Sequence, residues 1–323
     1  MTPQHRSRRA ALVSALAFVA CAGAQAQAWP DHPIHFIVPF SAGGANDLLG
    51  RAAAEGAAKA LGQSVIVDNR PGAGTVLGTE LVAKAPPDGY TFLISSAGVL
   101  SNPMIRKKVG YKPDDLVPVA MVGLAPSVII VPPNSPYNDI REFIAASKKG
   151  AGLHFSTAGT GSTPHFVEGL LVSKYGAKLD VVPYKSGAES VAAVLSGQID
   201  ATSEASIVVI PYLKSGKLKA LATTWTQRIS AYPQLSTATE QGFPEIRIAH
   251  WAGLHAPKGT PPAILDKMAA AIDAAMKAPG TAKRLKSLGI EPIGGTRASF
   301  EAFLADESAR LQGVVKATGM TAD

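Results

Sequence analysis

Apolar and polar positions change period repeatedly along this chain. Short strand-like runs such as Ile34-His35-Phe36-Ile37-Val38 alternate with longer Ala- and Leu-rich stretches of helical character. This alternation predicts an α/β fold with mainly parallel sheets. The first unit predicts a strand over 34–38, a loop Ser41-Ala42-Gly43-Gly44-Ala45-Asn46-Asp47, and a helix reaching Leu61 capped by Asn46 or Asp47. Strands follow over 64–68 and 90–94 with a helix over 75–85 between them, then a strand-rich crossover over 116–131. A second cycle predicts a helix over 140–149, a strand over 153–157, and the loop Ala158-Gly159-Thr160-Gly161-Ser162-Thr163-Pro164. The helix over 165–175 then takes Thr163 as N-cap and Pro164 at its first position, where a missing N–H is harmless. Further on come a strand over 179–182, a helix over 188–195, and strands over 199–203 and 218–224. The chain crosses back over 246–255, and helices over 261–276 and 297–315 close it.

One design therefore occurs twice: strand, loop of small residues, helix, beginning at Ile34 and again at Leu153. In open α/β sheets such loops gather at the carboxyl ends of the strands, where ligands bind. Each helix N-terminus adds free N–H groups, a ready anion site. Two lobes presenting such rims enclose a cleft, and strands crossing between them suit hinge closure. The expected division is 29–128 plus 250–323 for lobe I and 129–249 for lobe II.

Residues 1–28 stand apart as an export signal. Arg6, Arg8 and Arg9 form a basic start, Ala10 to Ala20 an apolar core too short to span a bilayer, and Ala26-Gln27-Ala28 a cleavage site before Trp29. Arg8-Arg9 leaves the choice between the general and the twin-arginine export routes open. Cys21 is the one cysteine, so the remaining chain has no disulfide, thiolate metal site or cysteine nucleophile. Of 31 Lys and Arg and 24 Asp and Glu, removal of the three leader arginines leaves 28 against 24, a net +4. The basic residues are scattered and only 6% of positions are aromatic, which speaks against nucleic acid as partner.

Catalytic and cofactor signals are sparse. There is no Gly-x-Ser-x-Gly elbow and no His-Glu-x-x-His pair, and His32, His35, His154, His165, His250 and His255 show no metal-ligand spacing. Gly72-Ala73-Gly74-x-x-x-Gly78 departs by one position from a dinucleotide fingerprint and does not follow the first strand. Neither cofactor nor metal is expected. His165 reads either as a hydrogen-bond donor to an anion or as a local cap. Glu204 reads either as a general base or as a carboxylate orienting a backbone N–H or a water. With one of these as base, the chain would be an exported α/β hydrolase or transferase. Tyr184 reads as a pocket wall or as core packing, its place just after a strand favouring the wall, and Lys185 beside it as an anion partner or an exposed lysine.

Several ordered motifs together resemble a known family. They are Trp29-Pro30-Asp31-His32-Pro33-Ile34, Val38-Pro39-Phe40-x-x-Gly43-Gly44-x-x-Asp47, Val67-x-Asn69-Arg70-Pro71-Gly72-Ala73-Gly74 and Pro87-Asp88-Gly89-Tyr90-Thr91. Later come Gly159-x-Gly161-Ser162-x-Pro164-His165, Val182-Pro183-Tyr184-Lys185, Gly197-Gln198-Ile199-Asp200, Gly216-Lys217-Leu218-Lys219-Ala220-Leu221-Ala222 and Trp251-x-Gly253-Leu254-x-Ala256-Pro257-x-Gly259-Thr260-Pro261. The chain resembles the Bug receptors, the solute-binding proteins of tripartite tricarboxylate transporters, over essentially its whole length after residue 28.

The resemblance implies a two-lobed periplasmic-binding-protein-like fold, not an enzyme, closing around a small organic carboxylate. It implies binding by backbone N–H groups, hydroxyls and ordered waters, with delivery to a membrane permease or a sensor kinase. Aliphatic di- and tricarboxylates, acidic amino acids and aromatic acids all remain open. By residue-wise transfer, Phe40, Ser41, Ala42, Gly43, Gly44, Asn46 and Asp47 hold one end of the ligand. Ser95, Ser96, Thr157, Gly159, Thr160, Gly161, Ser162, Thr163 and His165 complete the cage, with Tyr184 and Glu204 beyond. Three positions depart from the family pattern: Ser41-Ala42 replaces a proline-containing lead, Asn46 stands where Thr or Ser is common, and Thr202-Ser203-Glu204 replaces a segment often ending in Asp.

Overall fold

The computed structural model describes residues 29–322, so the expected leader and Cys21 lie outside it. The opening unit folds as β1 (Ile34–Val38), α1 (Ala45–Leu61), β2 (Val65–Asn69), a short 3₁₀ turn, α2 (Val76–Ala83) and β3 (Thr91–Ser95). β1 pairs in parallel with both β2 and β3, the arrangement expected of strands joined by helical crossovers. The cap of α1 is Gly44, one residue before the helix, and no side chain caps it; the expected roles of Asn46 and Asp47 as caps are corrected accordingly. Both side chains are committed elsewhere, as described below.

A helix that the sequence did not announce follows, α3 (Gly98–Ile105), with Pro103 inside it. Proline removes the N–H that would bond the carbonyl four residues back. Tyr111 supplies a substitute, its hydroxyl lying 3.0 Å from the Gly98 carbonyl and 3.3 Å from that of Val99. The predicted crossover is one continuous strand, β4 (Leu116–Val131), buried along nearly its whole length.

The second cycle comprises α4 (Ile140–Ser147), β5 (Leu153–Thr157), α5 (Thr163–Tyr175), β6 (Leu179–Pro183), α6 (Gly187–Leu195), β7 (Ala201–Ala205), α7 (Ser206–Lys214) and β8 (Lys219–Thr223). Asp139 caps α4 by accepting from the Glu142 N–H at 2.8 Å. The cap of α5 is Ser162 rather than Thr163, which is itself the first helical residue. α7 also escaped prediction. Its sequence Ile207-Val208-Val209-Ile210-Pro211 is β-branched and carries a proline, so local propensity opposes the helix that tertiary packing imposes.

The chain returns through β9 (Ala249–Pro257) and ends with α8 (Pro262–Lys277), α9 (Pro279–Ser287), the two-residue β10 (Glu291–Pro292) and α10 (Arg297–Thr318). Strand order is β2-β1-β3-β9-β4-β7-β5-β6, with β8 and β10 also on β4. The two parallel sets, around β1 and around β5, are thus joined through the antiparallel strands β4 and β9. β4 changes partners in mid-strand: it faces β9 through Pro126 and Ala249, then β7 from Ser127 and Ala205 onward. The passage from β8 back to β9 runs beside it, with the Thr224 N–H donating to Ser127 O at 2.8 Å. The Thr224 hydroxyl donates to Ile248 O at 2.6 Å.

Close backbone approaches explain several glycines. A Cβ on Gly56 of α1 would sit 2.0 Å from the Ala275 Cβ of α8. A Cβ on Gly253 of β9 would sit 2.0 Å from the ring of Phe300. Gly78 has the same structural role, since its Cβ would meet Pro39 at 2.8 Å and the Arg70 carbonyl at 3.0 Å. The dinucleotide-like spacing around Gly78 is accounted for by packing. α10 lies against α3, α5 and β4, so the last helix touches both halves of the sheet.

Candidate functional site

Both loops singled out by the sequence emerge from the carboxyl ends of parallel strands and lead into helix N-termini. In α1 the first intrahelical bond is Leu48 N–H to Gly44 O, leaving the amides of Ala45, Asn46 and Asp47 outside the ladder. In α5 it is Phe166 N–H to Ser162 O, leaving those of Thr163 and His165, since Pro164 has none. Neither loop contains Lys or Arg. Any anion held here is held by dipoles and hydrogen bonds.

The first loop is braced from beneath. Asp47, 2% exposed, accepts from the Gly43 N–H at 2.9 Å, from Arg51 Nε at 3.0 Å and from Asn69 Nδ2 at 2.9 Å. Burial works to raise its pKa, but the Arg51, Gly43 and Asn69 hydrogen bonds outweigh it and hold the carboxyl below its ordinary value. Asn46, 7% exposed, donates from Nδ2 to Trp251 O at 2.8 Å, tying α1 to the crossing strand β9. These two side chains position the loop, whereas Ser41, Ala42 and Gly43 are exposed and Phe40 is half-buried. Gly43 has φ +91°, a conformation that glycine adopts without strain.

The second loop turns at Gly159 and Gly161, with φ of +96° and +77°. The Ser162 hydroxyl donates to Gly159 O at 2.6 Å, closing the turn, and Thr160 is exposed. The Gly161 N–H donates to His165 Nδ1 at 3.3 Å. Nδ1 therefore accepts, and the neutral ring carries its proton on Nε2; burial pushes its pKa down and keeps it neutral. His165 thus braces the turn from the first turn of the helix. A Cβ on Gly161 would lie 2.3 Å from Ile105 Cδ1 at the end of α3, so this loop meets the other half of the molecule there.

The remaining predicted residues divide. Ser95 is 1% exposed, its hydroxyl placed 3.0 Å from Gly253 O and 2.7 Å from His255 Nδ1. His255, 3% exposed, has its pKa pushed down to about 3 by burial. This serine–histidine pair is sealed in the core and joins β3 to β9. Ser96 is half-buried and lies 3.4 Å from the Gly98 N–H as acceptor. Tyr184 is half-buried beside the second loop, its N–H bonded to Thr157 O at 2.9 Å. Lys185 is exposed. His154 is exposed, its Nδ1 3.4 Å from Asp200 Oδ2.

Glu204, 7% exposed, is the penultimate residue of β7, its carboxylate folded against the first residue of α6. A Cβ on Gly187 would lie 1.8 Å from Glu204 Oε2, so any larger residue there displaces the carboxylate. Oε1 accepts from the Ala205 N–H at 2.7 Å and lies 3.4 Å from His250 Nε2, without hydrogen-bond alignment. Burial lowers the His250 pKa and the Glu204 charge partly counters it. Sequence reasoning assigned no site role to His250, Ser127 or Ser203; the hydroxyls of Ser127 and Ser203 are buried without a hydrogen-bond partner among the described residues, as is that of Thr157. The signal for Ser127 was a hydroxyl in the otherwise apolar run of β4. No group of His, Cys, Asp or Glu among the described residues is arranged to hold a metal. No described helix is long and apolar enough to cross a membrane.

These features define a class: a periplasmic-binding-protein fold in which two glycine loops each lead into a helix N-terminus. Comparison with known proteins narrows it. The model of the tripartite tricarboxylate transporter family receptors matches residues 49–320, and the chain belongs to that family. BugT of Bordetella pertussis is 36% identical over 313 residues, 94% of this chain and 95% of that protein. The structure of the periplasmic binding protein BugD superposes with a TM-score of 0.79 at 33% identity, covering 91% of this chain and 99% of that one. An R. palustris protein solved with adipate gives 0.82 at 29% identity, covering 91% and 99%. The family is one of solute-binding receptors, as the motifs had implied.

Proposed function

We propose that this chain is an exported receptor that captures a small organic carboxylate between the β1–α1 and β5–α5 loops. The single observation that carries this reading is the repeated loop design. Two bare helix N-termini, on opposite halves of a sheet that β4 and β9 cross between, offer N–H groups and no cationic side chain. Such sites favour an anion that several weak donors can share. The adipate-bound neighbour supports a carboxylate as the anion. Backbone N–H groups, the Ser41 and Thr160 hydroxyls, His165 Nε2 and bridging water make the contacts. The lobes are 29–128 with 250–323, and 129–249, rotating about β4 near Ser127 and about Thr224 and Ala249. The loaded receptor hands its ligand to a membrane permease or a sensor.

Ligand-induced thermal shift across aliphatic di- and tricarboxylates, acidic amino acids and aromatic acids tests the proposal. A receptor of this kind gains about 2.7 kcal/mol at a ligand concentration of a hundred times Kd. Stabilisation by at least one acid is expected. No stabilisation by any member contradicts it.

A further inference from the structure

Hydroxyls around β7 differ sharply between the two faces of the sheet. On the α6 face Ser156, Ser190 and Thr202 are fully satisfied: Ser156 Oγ and Ser190 Oγ are 2.7 Å apart, Ser190 Oγ and Thr202 Oγ1 2.9 Å, and Thr202 Oγ1 donates to Ser156 O at 2.7 Å. On the other face, the α5 side, Ser127, Thr157 and Ser203 are each 0% exposed, and none of their hydroxyls has a partner among the described residues.

These three belong together. The parallel register aligns Phe155 with Ala201 and Ser156 with Thr202, and its next step sets Thr157 beside Ser203. The antiparallel register sets Ile129 against Ser203 and Ser127 against Ala205. Side chains alternate along a strand, so Ser127, Thr157 and Ser203 share one face. Deeper along that face lie Phe155, Ile129 and Ala201, all buried in the apolar core. The hydroxyls end it at the carboxyl edge of β5 and β7, where the Ala158–Ser162 turn begins and where β4 passes between the two halves of the sheet.

A buried hydroxyl without a partner costs about 1–3 kcal/mol, and native folds keep few of them without a reason. We propose that Ser127, Thr157 and Ser203 form a hydroxyl seat for the far end of the bound acid, selecting ligands that carry a second oxygen function there. This inference rests on the carboxylate-receptor reading above. Three O–H groups serve a hydroxyl, a carbonyl or a second carboxylate equally, because each can donate or accept. An acid ending in methyl or unsubstituted aryl leaves them unpaired and is rejected.

The test uses the leaderless chain, 29–323, in calorimetric titrations with matched sets: butyrate, 4-hydroxybutyrate and succinate; hexanoate, 6-hydroxyhexanoate and adipate; benzoate, 4-hydroxybenzoate and terephthalate. Within whichever set binds, an oxygen-bearing member should bind at least about ten-fold more tightly than its methyl- or hydrogen-ended counterpart, as one or two hydrogen bonds provide. In Thr157→Val and Ser203→Ala that preference should fall below about three-fold, while ligand-free melting temperatures stay within about 1 °C of wild type or rise, since no internal bond is lost. If the acids bind but their ends are not discriminated, the receptor reading stands and the seat is overturned. The seat is equally overturned if the variants keep the preference and melt several degrees lower, the mark of hydroxyls that hold structural water. If no acid in any set binds, the receptor reading fails and takes the seat with it.

Discussion

Asn69 Nδ2 donates to Asp47 Oδ1 and to the Phe40 carbonyl, each at 2.9 Å, so the end of β2 props the β1–α1 loop from below. Two hydrogen bonds of this kind, one to a charged acceptor, are each worth about 1–3 kcal/mol when lost from a buried site. Asn69→Ala should therefore lower the ligand-free melting temperature by several degrees and weaken carboxylate binding further, because the loop loses its fixed shape. Thermal melts with and without ligand separate the two effects. An unchanged ligand-induced shift would mean that the loop shape does not matter.

Glu168 on α5 is 6% exposed, and burial pushes its carboxyl up to about 7. A group whose pKa is raised in the fold contributes most at low pH, and that contribution is lost as pH rises through the folded value. Here the loss falls between about pH 4.5, the ordinary value, and about pH 7. Its full size is on the order of 3 kcal/mol. Glu168→Gln should match wild-type stability at pH 4 and exceed it by several degrees at pH 8. A difference in melting temperature that is flat with pH would contradict this assignment.

Gly187→Ala inserts a methyl group where Glu204 Oε2 now lies. The carboxylate must swing away from the α6 N-terminus, giving up a favourable position worth about 0.3–1 kcal/mol. Stability should fall only modestly, while ligand specificity changes, because a displaced negative charge disfavours acidic far ends. Double substitution with Glu204→Gln should restore binding of dicarboxylates. Identical ligand profiles for wild type and Gly187→Ala would show that Glu204 lies outside the ligand's reach.

The alternation of apolar runs made the strands legible from sequence, and β1, β5 and β6 lie within a residue of where the pattern put them. α3 and α7 were not legible, because Pro103 and Pro211 and the β-branched run 207–210 argue locally against helix. Packing decides there, and a carbonyl left without its usual donor is served by Tyr111 from outside the helix. The two loops were readable as strand-to-helix turns, because Gly43, Gly159 and Gly161 supply the positive φ that such turns need. The parts played by Asn46, Asp47 and Ser95 were not, since the Trp251, Asn69 and His255 that engage them are distant in sequence. Ser203 and Ser127 share a face only through strand register, which no local window contains.

The central claim is that the β1–α1 loop binds through its exposed backbone, and Gly44→Val tests it most directly. Gly44 has φ −80° and ψ 172°, an extended conformation open to valine, and the nearest atom to an added Cβ is Ser41 O at 4.0 Å. The fold therefore accommodates the side chain, while the approach to the α1 amides is crowded. Calorimetric titration with the acid that stabilises wild type most strongly should show affinity reduced at least about a hundred-fold, a loss near 2.7 kcal/mol. The melting temperature without ligand should stay within about 2 °C of wild type. Unchanged affinity in a folded Gly44→Val protein would contradict the account and make this loop only a turn.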